Sequence, residues 1–175
     1  MAWLTKSRFL AGLQCPKRLW FEANQPLEQP APERLSLWQG RTFDQVVREM
    51  QPGVVISREK GMPSAIAETT RVMKAGGAPV LYQPAFRHGD LAVIADVLRR
   101  GRKPFELIEV KSSTRVKDEH LPDAAFQTLV LRGAKVPVSS VFIGHVDNTF
   151  VLERPGDYSG LLAEEDVTDA VEASL

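Results

Sequence analysis

The sequence predicts an α/β domain with a central mixed β-sheet flanked by helices. Two observations lead to this prediction. Helical periodicity dominates the first 50 residues, and short apolar runs bounded by turn residues alternate with two further helical patterns after them. We place this domain at residues 1–156 and set apart residues 157–175, an acidic segment with little hydrophobic patterning.

Three helical patterns open the chain. The first short helix carries an apolar stripe of Phe9, Leu10 and Leu13, and Pro16 begins the second, because proline suits the first helical position. A longer pattern runs from Glu33 to Met50. We expect the three tryptophans to pack in the core or between helices: Trp3, Trp20 and Trp38.

Strands and helices then alternate. Helices are expected from Pro63 to about Gly76 and from Leu121 to Ala134. Apolar runs predict strands at Val54–Ile56, Val80–Tyr82, Ala85–Arg87, Val138–His145 and Thr149–Glu153.

The centre of the pattern is a predicted β-hairpin. Its strands are Leu91–Ala95 and Phe105–Ile108, and residues 99–104 form the turn because they combine charge with glycine and proline. With the turn centred near Gly101, Asp96 pairs with Leu107, one diagonal step from Glu109. Because side chains alternate along a strand, Glu109 and Lys111 share one face.

This arrangement suits metal-dependent phosphodiester hydrolysis. Asp96 and Glu109 supply the hard oxygen ligands that Mg²⁺ or Mn²⁺ prefers. Lys111 lies on the same face and can orient an attacking water and offset negative charge. An Asp…Glu-X-Lys spacing alone is also typical of acids and lysines that simply face solvent.

The predicted helix after the hairpin has apolar residues on most of its surface. Three polar residues interrupt that cover at helical spacing: His120, Asp123 and Gln127.

Charge is distributed unevenly along the chain. Residues 157–175 hold six acids and no lysine or arginine, so residues 1–156 have 22 basic and 16 acidic residues. The first twenty residues carry four basic residues and no acid, which predicts either a phosphate-contacting arm or a solvated helix face: Lys6, Arg8, Lys17 and Arg18. Lys117 has the same two interpretations.

Several motifs together resemble the PD-(D/E)XK nuclease superfamily, and more narrowly its RecB-like branch, which includes the CRISPR-associated exonucleases. The motifs are Ala95-Asp96-Val97-Leu98, Glu109-Val110-Lys111-Ser112-Ser113, the opening Leu4–Trp20 and the helix Asp123–Gln127. The resemblance covers residues 4–153. It implies a restriction-endonuclease-like core, DNA as substrate and Mg²⁺ or Mn²⁺ as cofactor.

The resemblance also assigns further ligands. Gln127 matches a glutamine that points toward the metal, and the Val110 carbonyl could complete the metal shell. Gly40-Arg41-Thr42-Phe43-Asp44 stands where the family often has a histidine ligand. Asp44 is therefore either an additional metal ligand or a solvated helix residue.

Two departures from the family pattern concern supporting residues. Leu131 stands where a tyrosine is usual. Cys15 is the only cysteine, so the four-cysteine iron–sulfur cluster of some members cannot form within these residues. Cys15 is then either a remnant core thiol, or the chain is the N-terminal part of a longer protein, which the acidic ending favours.

We therefore expect a Mg²⁺- or Mn²⁺-dependent deoxyribonuclease, most simply an exonuclease. The alternative is a catalytically idle nuclease-fold module that binds nucleic acid or a partner protein, or that stabilises a fused C-terminal domain. No apolar run approaches the ~20 residues that span a bilayer, and a cytoplasmic location is expected.

Overall fold

A six-stranded mixed β-sheet forms the centre of the structure, and helices cover both of its faces. The predicted α/β class is therefore confirmed. The structure is a computed structural model that describes residues 3–25, 35–101 and 105–175. Its strands are β1 (Leu4–Thr5), β2 (Val54–Val55), β3 (Val80–Tyr82), β4 (Ala85–His88), β5 (Leu91–Ile94), β6 (Val97–Arg99), β7 (Phe105–Lys111), β8 (Val138–Val146) and β9 (Leu162–Asp166). Its helices are α1 (Lys6–Gln14), α2 (Pro16–Asn24), α3 (Leu35–Met50), α4 (Met62–Ala75), α5 (Leu121–Gly133) and α6 (Thr168–Glu172), with a 3₁₀ turn at Asp118–His120.

The strand order of the central sheet is β2-β3-β6-β7-β8-β9. Strands β6 and β7 form an antiparallel hairpin, whereas β7 and β8 are parallel and are joined through α5. A smaller sheet has the order β1-β5-β4, with β1 parallel to β5.

Alternation along the strands produces two hydrophobic layers. Leu107 on β7 packs in the larger cluster, which includes residues of α4, α5 and α6. Its neighbour Ile108 packs in the smaller cluster with Phe43 and Val47 of α3. The period of two therefore assigns each residue of β7 to one layer of helices.

The predicted hairpin exists, but its first strand and its register were wrong. The backbone bends at Asp96, so Leu91–Ile94 joins the smaller sheet and only Val97–Arg99 pairs with β7. Val97 is aligned with Ile108, which brings Asp96 level with Glu109 rather than Leu107. An ion pair between Arg99 and Glu106 (Nε–Oε2 2.8 Å) reinforces this register. Residues 102–104 of the predicted turn lie outside the described residues.

The last strand was also misplaced. Within the described residues, 149–153 are irregular, and the exposed fraction of the Val151 side chain is 73%. The edge strand is β9 instead, antiparallel to β8 and followed by α6. Val171 of α6 is fully buried, so part of the acidic segment contributes to the larger hydrophobic cluster.

The first two helices were predicted at their observed positions, but some of their apolar residues face outward. Phe9 stacks on Phe126 of α5 with ring centroids 4.7 Å apart. Leu13 is 59% exposed and Trp20 is 52% exposed, which contradicts the packing predicted for both. The side chain of Trp38 lies outside the described residues.

Candidate active site

Polar side chains converge where β7 ends, beside the first turns of α1 and α5. Glu109 and Lys111 lie on the same side of β7 as Leu107 and therefore face α5. Asp123 lies in the first turn of α5, and Lys6 is the first residue of α1. The core packing of these elements thus gathers acids and lysines at one edge of the sheet.

Glu109 is the centre of this cluster and is only 1% exposed. Its Oε1 accepts hydrogen bonds from Lys6 Nζ (3.0 Å) and Lys111 Nζ (2.5 Å). Its Oε2 accepts from Lys6 and from the amide of Gln127. Burial opposes ionisation, but the two ammonium groups outweigh it and hold the pKa of Glu109 well below its usual range.

Asp123 forms the second buried acid of the cluster. Its Oδ1 lies 3.3 Å from Lys6 Nζ, and its Oδ2 accepts a hydrogen bond from Lys111. Burial first, and then the charge of Glu109, raise its pKa. The three polar residues that interrupt the apolar surface of this helical segment, His120, Asp123 and Gln127, are all buried. The sequence reasoning nevertheless assigned no role to Asp123, although the spacing that singles out Gln127 also contains it.

Asp96 approaches Glu109 from the neighbouring strand. Its Oδ2 accepts a hydrogen bond from the backbone N–H of Val110 (2.9 Å) rather than from a charged side chain. Burial and the nearby Glu109 carboxylate raise the pKa of Asp96 well above its usual range. Its ionised form therefore benefits from an additional cation.

Lys6 occupies a position that its local sequence does not reveal. Pairing of β1 with β5 and the stack of Phe9 on Phe126 fix the first turn of α1 against the sheet. Burial disfavours the ammonium form, but Glu109, Asp96 and Asp123 together raise the pKa of Lys6. Lys6 is thus bound to carboxylates in this structure, whereas the sequence predicted either contacts with phosphates or a solvated helix face.

Gln127 links the acids from the middle of α5. Its Nε2 lies within hydrogen-bond distance of Glu109 Oε2 and Asp123 Oδ1. In the part of the chain that the structure describes, its Oε1 is the one buried side-chain polar atom with no hydrogen-bond partner. Gln127 therefore has an unpaired amide oxygen, which can act as a metal ligand, while its amide nitrogen donates hydrogen bonds to both acids.

A cleft gives access to the acidic cluster from the side of α3. Asp44 and Asp96 both line it, together with Lys6, Arg58 and Gln83, and its volume is about 400 Å³. Burial, and to a smaller extent Glu109, raise the pKa of Asp44. The structure therefore brings Asp44 to the acids, as the metal-ligand interpretation requires.

Gln83 and Arg58 belong to this cleft but were not singled out from the sequence. Gln83 has φ +54°, a conformation that non-glycine residues adopt rarely and often near functional sites. Its backbone N–H donates to the carbonyl of Asp96 (2.9 Å), so this turn holds the bend at Asp96. No local pattern in the sequence signals a positive φ at a glutamine.

The other candidate phosphate contacts lie on two different surfaces. Arg8, Lys17 and Arg18 line one groove between α1 and α2 with a volume of about 830 Å³. Lys117 lines a separate cavity beside acidic residues of β9 and α6. Cys15 is exposed on the first groove, which contradicts its interpretation as a core thiol.

The donor set fits a hard divalent cation. Carboxylates of Asp96, Glu109 and Asp44 and the unpartnered amide oxygen of Gln127 are oxygen ligands of the kind that Mg²⁺ and Mn²⁺ bind. Among the described residues, no group of three His, Cys, Asp or Glu side chains is placed to hold a metal ion as the side chains stand. Glu109 and Asp123 instead contact lysine ammonium groups.

Comparison of the sequence with models of known protein families and with curated proteins finds no match. Within the described ranges, none of the helices is long and apolar enough to cross a membrane.

Proposed function

We propose that this chain is a metal-dependent nuclease that hydrolyses phosphodiester bonds in DNA. The observation that carries the proposal is the convergence of Asp96, Glu109 and Lys111 at one end of the central sheet, beside an open cleft. The resemblance of these motifs to the PD-(D/E)XK superfamily supports the same activity and suggests membership in its RecB-like branch.

In this proposal Asp96, Glu109 and the Val110 carbonyl hold one Mg²⁺ or Mn²⁺, and Asp44 adds a carboxylate from the cleft. A bound divalent ion polarises the scissile phosphate and lowers the pKa of a water ligand. The residues of the chain do the remaining work. Val110 N–H fixes the orientation of Asp96, and Gln127 fixes that of Glu109.

Lys111 would position the attacking water. Its ammonium group already lies among the acids and remains protonated, because the attraction of Glu109 and Asp123 outweighs the burial that lowers its pKa. A protonated lysine can donate hydrogen bonds to water and to a phosphate oxygen, and it offsets the negative charge that develops there. Lys111 then acts as an electrostatic stabiliser and not as the base.

Substrate contacts would come from the basic groove. Arg8, Lys17 and Arg18 line it, and phosphate contacts of this kind position nucleic acid without reading its sequence. Lys117, the other phosphate contact considered from the sequence, lies beside acidic residues of β9 and α6 and is not part of this groove. Cytoplasmic location accords with a nucleic-acid substrate and is part of the proposal.

The direct test is cleavage of labelled single- and double-stranded DNA by the purified chain with Mn²⁺. We expect cleavage that EDTA abolishes and that Asp96→Asn and Lys111→Ala each reduce by about 100-fold or more. Lys74→Ala, at an exposed lysine in the last turn of α4, controls for loss of charge. Unchanged cleavage in both site variants would exclude these residues as the catalytic set.

The second candidate is a nuclease-fold module that binds nucleic acid or a partner protein without cutting. The observation that favours it is the occupation of Glu109 and Asp123 by the two lysines. This candidate requires DNA or partner binding that does not respond to Mg²⁺, and no turnover of either DNA form. The same Mn²⁺ assay therefore separates the two candidates.

A further inference from the structure

On the side of the acidic cluster formed by Glu109 and Asp123, Lys6 has a carboxylate partner for each of its ammonium hydrogens. Its ammonium group has three N–H donors, and three carboxylate oxygens lie within 3.3 Å of it: Glu109 Oε1, Glu109 Oε2 and Asp123 Oδ1. Lys111 binds the same two carboxylates through Glu109 Oε1 and Asp123 Oδ2. Every carboxylate oxygen of Glu109 and Asp123 therefore has at least one ammonium partner.

The other side of the cluster is different. Asp96 takes its hydrogen bond from the Val110 backbone and faces the cleft that Asp44 also lines. Three carboxylates, those of Asp96, Glu109 and Asp123, are matched by two ammonium groups. Among the described residues, neither ammonium group donates a hydrogen bond to Asp96, and Asp44 lines the same cleft.

We propose that Lys6 takes the place of a second divalent cation, so that the site binds a single metal ion between Asp96 and Glu109. This inference rests on the proposed function. Many phosphodiester-hydrolysing sites hold two ions about 3.5–4 Å apart. Here the Glu109–Asp123 side is neutralised from within the chain, by an ammonium that β1 pairing and the Phe9–Phe126 stack keep in place.

Methionine is the informative replacement for Lys6. Its side chain is similar in length and apolar, so Lys6→Met removes the ammonium with little change in packing. In this variant Lys111 is the one remaining ammonium group beside the carboxylates of Asp96, Glu109 and Asp123. The oxygens of Glu109 and Asp123 that Lys6 contacts then have no ammonium on that side. A second Mn²⁺ should then bind where the ammonium was.

The experiment is a titration of the full chain with Mn²⁺. Isothermal titration calorimetry and the electron paramagnetic resonance signal of free Mn²⁺ each measure the number of bound ions. We expect one ion per chain for the wild type and two for Lys6→Met. Lys60→Met removes the same charge from an exposed position before α4 and should keep one ion. Lys6→Arg keeps the cation and should also keep one.

The outcomes separate this inference from the proposed function. Two ions on the wild type, or one ion of unchanged affinity on Lys6→Met, overturn the role of Lys6 while leaving a metal site in place. No Mn²⁺ on the wild type overturns both. If Lys6→Met does not fold, the wild-type count and Lys6→Arg still decide, because a second ion on either contradicts the proposal.

Discussion

At the scale of single residues, the two neighbouring acids of the hairpin have opposite effects on stability. Glu109 is surrounded by cations, which lower its pKa, whereas Asp96 is buried beside a like charge, which raises its pKa. The ion pairs of Glu109 stabilise the fold fully above its ordinary pKa of 4.5, and this stabilisation is lost as the pH falls through the lowered value. For Asp96, stability decreases as the pH rises from 3.8 through the raised value.

We therefore expect opposite results from the same small change at the two positions. In EDTA at pH 8, Asp96→Asn should raise the melting temperature, since it removes an unfavourable charge while its side-chain oxygen can still accept the Val110 hydrogen bond. The gain should shrink toward pH 4. Glu109→Gln should lower stability by about 3–5 kcal/mol, because it leaves buried ammonium groups unpaired.

Thermal unfolding followed by circular dichroism at pH 8 and pH 4 measures both effects. Lys74→Gln, at an exposed residue, is the control for a change of charge without burial. If Asp96→Asn destabilised the metal-free protein more at pH 8 than at pH 4, the conclusion that folding raises the pKa of Asp96 would be wrong.

At the scale of elements, the local pattern determined what could be predicted. The alternation of β7 placed Glu109 and Lys111 together, and the polar line of α5 placed Gln127 beside them. Both depend on neighbours within a few residues. Lys6 could not be placed in this way, because its partner Glu109 lies 103 residues further along the chain.

The errors have equally physical causes. The register at Asp96 depends on a bend that Gln83 supports from the turn between β3 and β4, and on the pairing of Arg99 with Glu106. Strand β9 carries three acids among its five residues, so it lacks the apolar alternation that identifies a strand. Its position follows from pairing with β8, which only the tertiary fold provides.

The C-terminal elements yield a prediction about packing. Val171 of α6 is fully buried, whereas Val151 in the preceding loop is 73% exposed. Val171→Ser should lower the free energy of unfolding by about 2–4 kcal/mol, because it deletes apolar contacts and buries a hydroxyl. Val151→Ser should change it by about 0.5 kcal/mol or less.

Urea unfolding of the two variants, with unchanged m-values, measures this difference. Equal losses of stability would mean that α6 does not pack in the larger hydrophobic cluster. A small loss for both would have the same meaning.

At the scale of the whole molecule, charge is divided between two surfaces. The groove between α1 and α2 has three basic residues and one acid, Glu22, which pairs with Arg18, while the last 19 residues carry six acids and no lysine or arginine. The net charge of zero is therefore the sum of a basic surface and an acidic one. The basic surface lies on α1 and α2, and the first residues of α1 also line the cleft beside Asp96. This asymmetry is what a nucleic-acid ligand would use, since its phosphates attract cations and avoid acids.

DNA binding should accordingly weaken as salt increases. For each phosphate contact removed, the slope of log affinity against log salt concentration should decrease by about 0.7–0.9. Lys17→Ala and Arg18→Ala should each show this decrease in fluorescence-anisotropy titrations that use Asp96→Asn protein in EDTA, a combination chosen to prevent cleavage. Lys60→Ala, at an exposed lysine before α4, should leave the slope unchanged. Unchanged slopes for all variants would remove the groove from the proposed binding surface.

The central claim is that Asp96 and Glu109 share one divalent ion while Lys6 remains on Glu109 and Asp123. Anomalous diffraction from crystals soaked in Mn²⁺ tests it most directly. We expect a single peak bonded to the carboxylates of Asp96 and Glu109, with the Lys6 ammonium still within hydrogen-bond distance of Asp123. Absence of a peak between Asp96 and Glu109, or Mn²⁺ bound only at other residues, would contradict the account.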